Sequence, residues 1–173
     1  NQPGDLEGMD ELAARYKISA WKTYTQWGPD GAGGFFMDDE PGIRLIEKAR
    51  KLGIRNIAIH KGLAFGPKSY EHSTCVDIGR VAKRYPDVNF LIYHSGFVAN
   101  KTEGAYDAKR TEGIDALVTS LLENSVKPGS NVYAELGSTW RLAMRDPDTA
   151  AHTIGKLVKY CGENNVLWGT DSI

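Results

Sequence analysis

Asn165-Val166-Leu167-Trp168-Gly169-Thr170-Asp171-Ser172 is the stretch whose reading decides the fold. Its apolar run, Val166 to Trp168, reads as a short strand that passes through the small pair Gly169-Thr170 and delivers one carboxylate, Asp171. In a barrel of parallel strands, that C-terminal end is where loops open to solvent above a packed interior, and catalytic groups collect there. Two earlier apolar runs close the same way, each on a histidine: Ile57-Ala58-Ile59-His60 and Phe90-Leu91-Ile92-Tyr93-His94. Three ligand-type side chains are therefore expected on one face.

Strand alternation places Ala58 with His60, Phe90 and Ile92 with His94, and Leu167 with Asp171, so all three sets are expected to point into the barrel. One strand-end histidine alone reads as a hydrogen-bonded core residue, but three groups at equivalent positions read as a site. Imidazole combined with carboxylate suits a divalent metal, zinc first, with manganese or iron as alternatives. His72 and His152 read as surface residues at a helix start and within a helix.

The rest of the chain repeats the same unit. The patterns predict a helix over 5–17 capped by Asp5, a strand over 18–24, a Gly-rich aromatic loop over 25–38 and a helix over 41–52. They continue with strands over 54–60, 88–94, 131–136 and 165–171, and with helices over 73–85, 112–125 and 146–162. Strand and helix in strict alternation are the signature of a parallel sheet covered by helices. Connections leaving the helices are short, whereas those leaving the strands are long and rich in glycine and aromatics, which marks the functional face. Eight such units take about 250 residues. The 173 residues hold five strands, so a single domain over 1–173 is expected: the later portion, strands four to eight, of a (β/α)8 TIM barrel.

Charge narrows the partners. Lys and Arg total 21 against 22 Asp and Glu, with no long run of either sign, which gives no footing for nucleic acid or a membrane surface. No apolar run is long enough to span a bilayer and no signal-peptide pattern opens the chain, so a cytoplasmic protein is expected. Cys75 and Cys161 fall in predicted helices without metal-type spacing and read as reduced, small hydrophobes.

Around the three strand ends the sequence offers further groups. Lys22 closes the first strand at the same level, where a desolvated lysine can form a Schiff base, bridge metals when carboxylated, bind a substrate carboxylate or sit in a salt bridge, with Glu135 as a partner. Lys61 and Arg141 are candidates to hold a substrate carboxylate. Trp27, Phe35, Phe36, Phe65, Phe97 and Trp140 fall in strand-exit loops, where they can line a pocket or cover the barrel mouth.

At Asn-Ile-Ala-Ile-His-Lys-Gly (56–62), Asn-Phe-Leu-Ile-Tyr-His-Ser-Gly (89–96) and Val-Leu-Trp-Gly-Thr-Asp-Ser (166–172) the chain resembles the amidohydrolase superfamily. It is most similar to the amidohydrolase-related branch that includes aminocarboxymuconate-semialdehyde decarboxylase. The resemblance implies a distorted TIM barrel with a divalent metal, usually zinc. It makes His60 the fifth-strand metal ligand and His94 the sixth-strand histidine that orients or polarises the substrate or the attacking water. Asp171 becomes the eighth-strand aspartate that binds metal and shuttles a proton. Lys22 falls at the end of the fourth strand, where other branches carry a carboxylated lysine that this branch does not. The family's first strand supplies a His-x-His pair, and none occurs in this sequence, so upstream sequence or a second chain is expected to complete the site.

The functional expectation is a metal-dependent hydrolase that attacks a C–N or C–O bond of a small-molecule substrate. The alternative chemistry is decarboxylation of a carboxylated aromatic or muconate-like substrate, with Lys61 or Arg141 on the carboxylate. A Schiff-base lyase using Lys22 and a non-catalytic half-barrel stand as rivals. A half-barrel has two open edges, so a homo-oligomer or a completing chain is expected.

Overall fold

Apolar runs separated by capped helices settle into five parallel strands in chain order: β1 Trp21–Tyr24, β2 Asn56–His60, β3 Asn89–Tyr93, β4 Val132–Glu135 and β5 Val166–Leu167. The structure is a computed structural model, and it describes residues 4–28 and 33–171. Six α-helices accompany the strands among those residues: α1 Asp5–Arg15, α2 Glu40–Lys51, α3 Ile78–Arg84, α4 Gly113–Glu123, α5 Ser138–Ala143 and α6 Pro147–Cys161. Each strand pairs in parallel with the next in sequence, with at least one helix in each connection, which is the topology of a barrel wall. β1 and β5 have one strand neighbour each among the described residues. The fold is α/β with an open parallel sheet, consistent with part of a TIM barrel.

Register decides what the two faces carry. Lys22, Ala58, Leu91 and Tyr133 form one row across the sheet, and Tyr24, His60, Tyr93, Glu135 and Leu167 form the row nearest the C-terminal ends. The opposite face, carrying Thr23, Ile57, Ile59, Phe90, Ile92, Val132 and Ala134, is buried beneath the helices. This corrects the predicted phase of the third strand. Phe90 and Ile92 lie with the helices and have no solvent exposure, while Leu91 and Tyr93 are half-buried on the concave face. The helix-covered face takes the bulkiest apolar side chains because burial there is complete.

Helix signals were read best where caps are strong. Asp146 accepts from Thr149 N at 2.7 Å and Pro147 fills the first turn, so α6 starts where the sequence predicts. Pro41 in the first turn of α2 and Gly53 after it, at φ 75°, bound that helix as expected. α1 is capped by the backbone at Gly4, and Asp5 is its first residue instead of its cap. α3 starts later than predicted, because residues 71–73 form a 3-10 turn and Asp77 holds groups from other segments. Cys75 therefore precedes α3, while Cys161 ends α6, and both thiols are free and buried. α5 occupies a stretch read as loop. Residues 29–32 of the predicted Gly-rich loop, and Ser172, lie outside the described residues. No helix among the described residues is long and apolar enough to cross a membrane.

Candidate active site

His60 is delivered by plain strand alternation. It is the last residue of β2, with its ring on the concave face. The Tyr24 ring stacks on it at 5.0 Å and the Phe65 ring lies at 4.9 Å, so the imidazole is almost wholly buried. Its Nε2 is buried with no hydrogen-bond partner. An orphaned buried nitrogen is uncommon and asks for an explanation, and a bound electrophile is one.

His94 arrives differently. β3 ends at Tyr93, and the chain then turns through three left-handed residues, His94 at φ 65°, Ser95 at φ 52° and Gly96 at φ 80°. The turn carries the His94 ring across to meet His60 edge-on, 4.6 Å between centroids, and sets its Nε2 3.8 Å from Asp171 Oδ2. Asp171 follows β5 with a positive φ of its own, 51°, and its Oδ2 also accepts from Ser138 Oγ at 2.8 Å. Buried Asn165 fixes the start of β5 by donating to Ser130 O at 2.9 Å and Val132 O at 2.8 Å. The two histidines and the aspartate thus converge at the C-terminal ends of β2, β3 and β5.

The electrostatics keep both rings neutral. Burial, reinforced by the nearby Lys22 charge, lowers His60 to about 4. Burial also lowers His94 to about 4, with His60 adding to the effect and Asp171 opposing it. Neutral imidazole is the ligand form and the proton-accepting form. Glu135, on the same row as His60, is raised by burial, although His94 N and Gly137 N donate to it.

Lys22 lies one row below the position expected of it, opposite Ala58, while Tyr24 occupies the level of His60. Its side chain nevertheless rises to the mouth, where Nζ sits 3.2 Å from the centroid of the Tyr93 ring. Although Lys22 as a whole is exposed, desolvation of its ammonium lowers it to about 8, with Glu135 and Asp171 pulling the other way.

Other predicted residues are not brought to this cluster. Lys61 points away: its ammonium is fully buried 3.0 Å from Asp77 Oδ1, donates to His72 O at 3.1 Å and lies against the Phe36 ring. Arg141 is exposed on α5, and Trp140 is half-buried, 6.2 Å from the exposed Trp168 ring. Of the expected pocket aromatics, Trp27 and Phe65 face solvent beside Tyr24, whereas Phe35 and Phe97 are core. His72 and His152 are half-buried, and the His72 ring packs on Phe36. Tyr24 and Tyr93 were missed by the sequence reading. Tyr24 was within reach, since alternation from Lys22 along β1 leads to it, whereas Tyr93 was hidden by the reversed phase predicted for the third strand.

The donor types suit a divalent metal, but among the described residues no three His, Cys, Asp or Glu side chains gather closely enough to hold one. His60 Nε2 and the Asp171 carboxylate are donor atoms of the kind such a metal takes.

Comparison with curated proteins gives no match, and comparison with solved structures gives none either. A family model described as Amidohydrolase matches residues 6–173. That match spans all five strands and all three residues gathered at the mouth, and on it the chain belongs to the amidohydrolase family.

Proposed function

We propose that this chain is the portion of a metal-dependent amidohydrolase carrying barrel strands four to eight, folded as one domain, and that it hydrolyses a C–N or C–O bond of a small molecule. The convergence of His60, His94 and Asp171 at three parallel strand ends, with His60 Nε2 buried and unpartnered, carries the reading. His60 and Asp171 are the two ligands this chain offers, with zinc the first choice and manganese or iron the alternatives. When bound, the metal supplies Lewis acidity towards a carbonyl and the means of activating water near neutral pH.

The remaining steps belong to the protein. Asp171 takes a proton from the attacking water and hands it to the leaving group, with Ser138 steadying one carboxylate oxygen. His94, neutral and 3.8 Å from that oxygen, orients the substrate or the water. Tyr24, Trp27 and Phe65 form an apolar wall that limits water on the His60 side. The site completes only with further ligands, from upstream sequence or another chain.

One observation favours a second chemistry, the decarboxylation typical of the aminocarboxymuconate-semialdehyde decarboxylase branch. Lys22 places a cation among ring systems at the mouth, where a planar substrate's carboxylate fits. Arg141 and Trp140 on α5 would serve the far side of such a substrate, and Lys61, held by Asp77, would not.

Isothermal titration with Zn2+ and Mn2+ tests the ligand set. Weak binding that vanishes in His60→Asn and Asp171→Asn but survives in His94→Asn is expected, and binding indifferent to all three substitutions rejects the assignment. Steady-state assays with esters, amides and carboxylated aromatics, run on the chain joined to its missing strands, separate hydrolysis from decarboxylation.

A further inference from the structure

The third strand presents a problem of direction. Continued alternation beyond Tyr93 would send His94 to the side of Phe90 and Ile92, under the helices and away from the mouth. The left-handed run at 94–96 prevents this, yet two of its residues carry a Cβ and disfavour that conformation. Such backbone persists only where its surroundings over-determine it.

Two of the hydrogen bonds that surround it go to one residue, Glu135. His94 N donates to Glu135 Oε2 at 3.3 Å, and Ser95 Oγ donates to Glu135 O at 2.9 Å. Thr139, in the first turn of α5, donates its Oγ1 to His94 O at 3.0 Å, and Gly96 N donates to Lys61 O at 3.1 Å. The Glu135 carboxyl is buried, accepts a second backbone N–H from Gly137, and sits in a slot shaped by two glycines. A Cβ on Gly169 would stand 2.0 Å from Glu135 Oε1. A Cβ on Gly137 would stand 2.9 Å from both Glu135 Oε2 and His94 Nδ1. The slot therefore admits the carboxyl beside the His94 ring only because both positions lack side chains.

We infer that Glu135 is a positioning residue for His94: by clamping the left-handed turn it aims the imidazole at Asp171 and His60. The functional half of this inference rests on the reading of His94 as the group that meets substrate, whereas the geometric half does not. Gly169, two residues before Asp171, belongs to the same device, since any side chain there expels the carboxyl.

Two readouts test it on the full chain. The first is the 15N spectrum of the His94 imidazole, assigned by its loss in His94→Asn, recorded for Glu135→Leu, Glu135→Gln and Gly169→Ala. Glu135→Leu keeps volume but removes the acceptor, and Gly169→Ala displaces the carboxyl without removing it. Both are expected to shift the His94 resonances, while Glu135→Gln, which retains an acceptor oxygen, stays nearer the parent. The second is kinetics on the completed barrel. Glu135→Leu is expected to lower kcat by about 10²-fold with KM changed less than about twofold, as for a misaimed group, and Glu135→Gln to recover about tenfold of that loss. His94 resonances unmoved in Glu135→Leu, or Glu135→Gln as damaging as Glu135→Leu, would overturn the inference. An inert parent enzyme would overturn the proposed function instead and leave the spectroscopic comparison decisive. Should Glu135→Leu fail to fold by circular dichroism, Gly169→Ala carries the same comparison.

Discussion

Asp77→Asn is expected to destabilise this chain far more than its conservative appearance suggests. Lys61 and Asp77 have no exposed side-chain surface, and Nζ lies 3.0 Å from Oδ1. The other carboxylate oxygen accepts from Met37 N at 2.7 Å, and the ammonium also donates to His72 O. Asparagine keeps the shape and can still accept from Met37, so what disappears is the countercharge. Removing one partner of a buried pair costs about 3–5 kcal/mol, against about 0–1 kcal/mol for an exposed pair. A domain's whole stability is about 5–15 kcal/mol, so the lower figure already removes a fifth or more of it.

The magnitude is checked by urea unfolding followed by circular dichroism at pH 7, with the slope held common to all variants. Lys61→Met should cost a similar amount, because it strands the carboxylate. The double variant Lys61→Met with Asp77→Asn buries no net charge and should be more stable than either single variant. A loss below about 1 kcal/mol for Asp77→Asn, or a double variant that costs the sum of the singles, would refute the reasoning. The pair ties the exit of β2 to the segment at Met37, so its loss should also loosen His60, the residue before Lys61.

Three further outcomes are expected. His60 and His94 are both held near 4 against about 6.5 in an unfolded chain, so the unfolded state binds more protons between those values. Their contribution, up to about 3 kcal/mol for one histidine, is fully present above pH 6.5 and lost as pH falls towards 4; a flat profile of unfolding free energy across that window contradicts it. In the completed enzyme Asp171→Asn should abolish turnover, while His94→Asn lowers turnover and leaves metal content unchanged by elemental analysis; an emptied metal site in His94→Asn would make His94 a ligand. The described chain leaves one edge each of β1 and β5 without a strand partner, so sedimentation at micromolar concentration should show association, and a stable monomer would reject the open-wall reading.

How far the sequence led can be judged strand by strand. Its alternation of apolar runs with capped helices made the parallel sheet and its order legible, because βαβ connections are local and each helix carries its own start and stop. His60 was legible too, since β2 stays regular to its last residue and the period-two rule holds throughout. His94 reaches the mouth by a route that alternation does not supply. The rule was extended one residue past the end of the β3 ladder, and the left-handed turn restored a direction that alternation alone would have reversed. Lys61 was misread because a charge beside a strand end looks functional in one dimension, whereas its partner Asp77 is distant in sequence and nothing local announces it.

Three strands therefore reach one mouth by three backbone devices, and this has a consequence for how the site can vary. The β2 device is generic, because any regular strand of that length would present His60, so the histidine can change without disturbing the wall. The β5 device is minimal: a two-residue ladder, an anchored Asn165 and a positive φ at Asp171 leave the carboxylate exposed and attached at few points. The β3 device is cooperative, since His94 depends on Glu135, Thr139 and the absence of side chains at Gly137 and Gly169. Under the proposed function, a shift in the position of the carboxylate is thus easiest at Asp171, where the chain is least constrained. The imidazole of His94 is the fixed point, since moving it requires changes on β4, α5 and the β5 exit together.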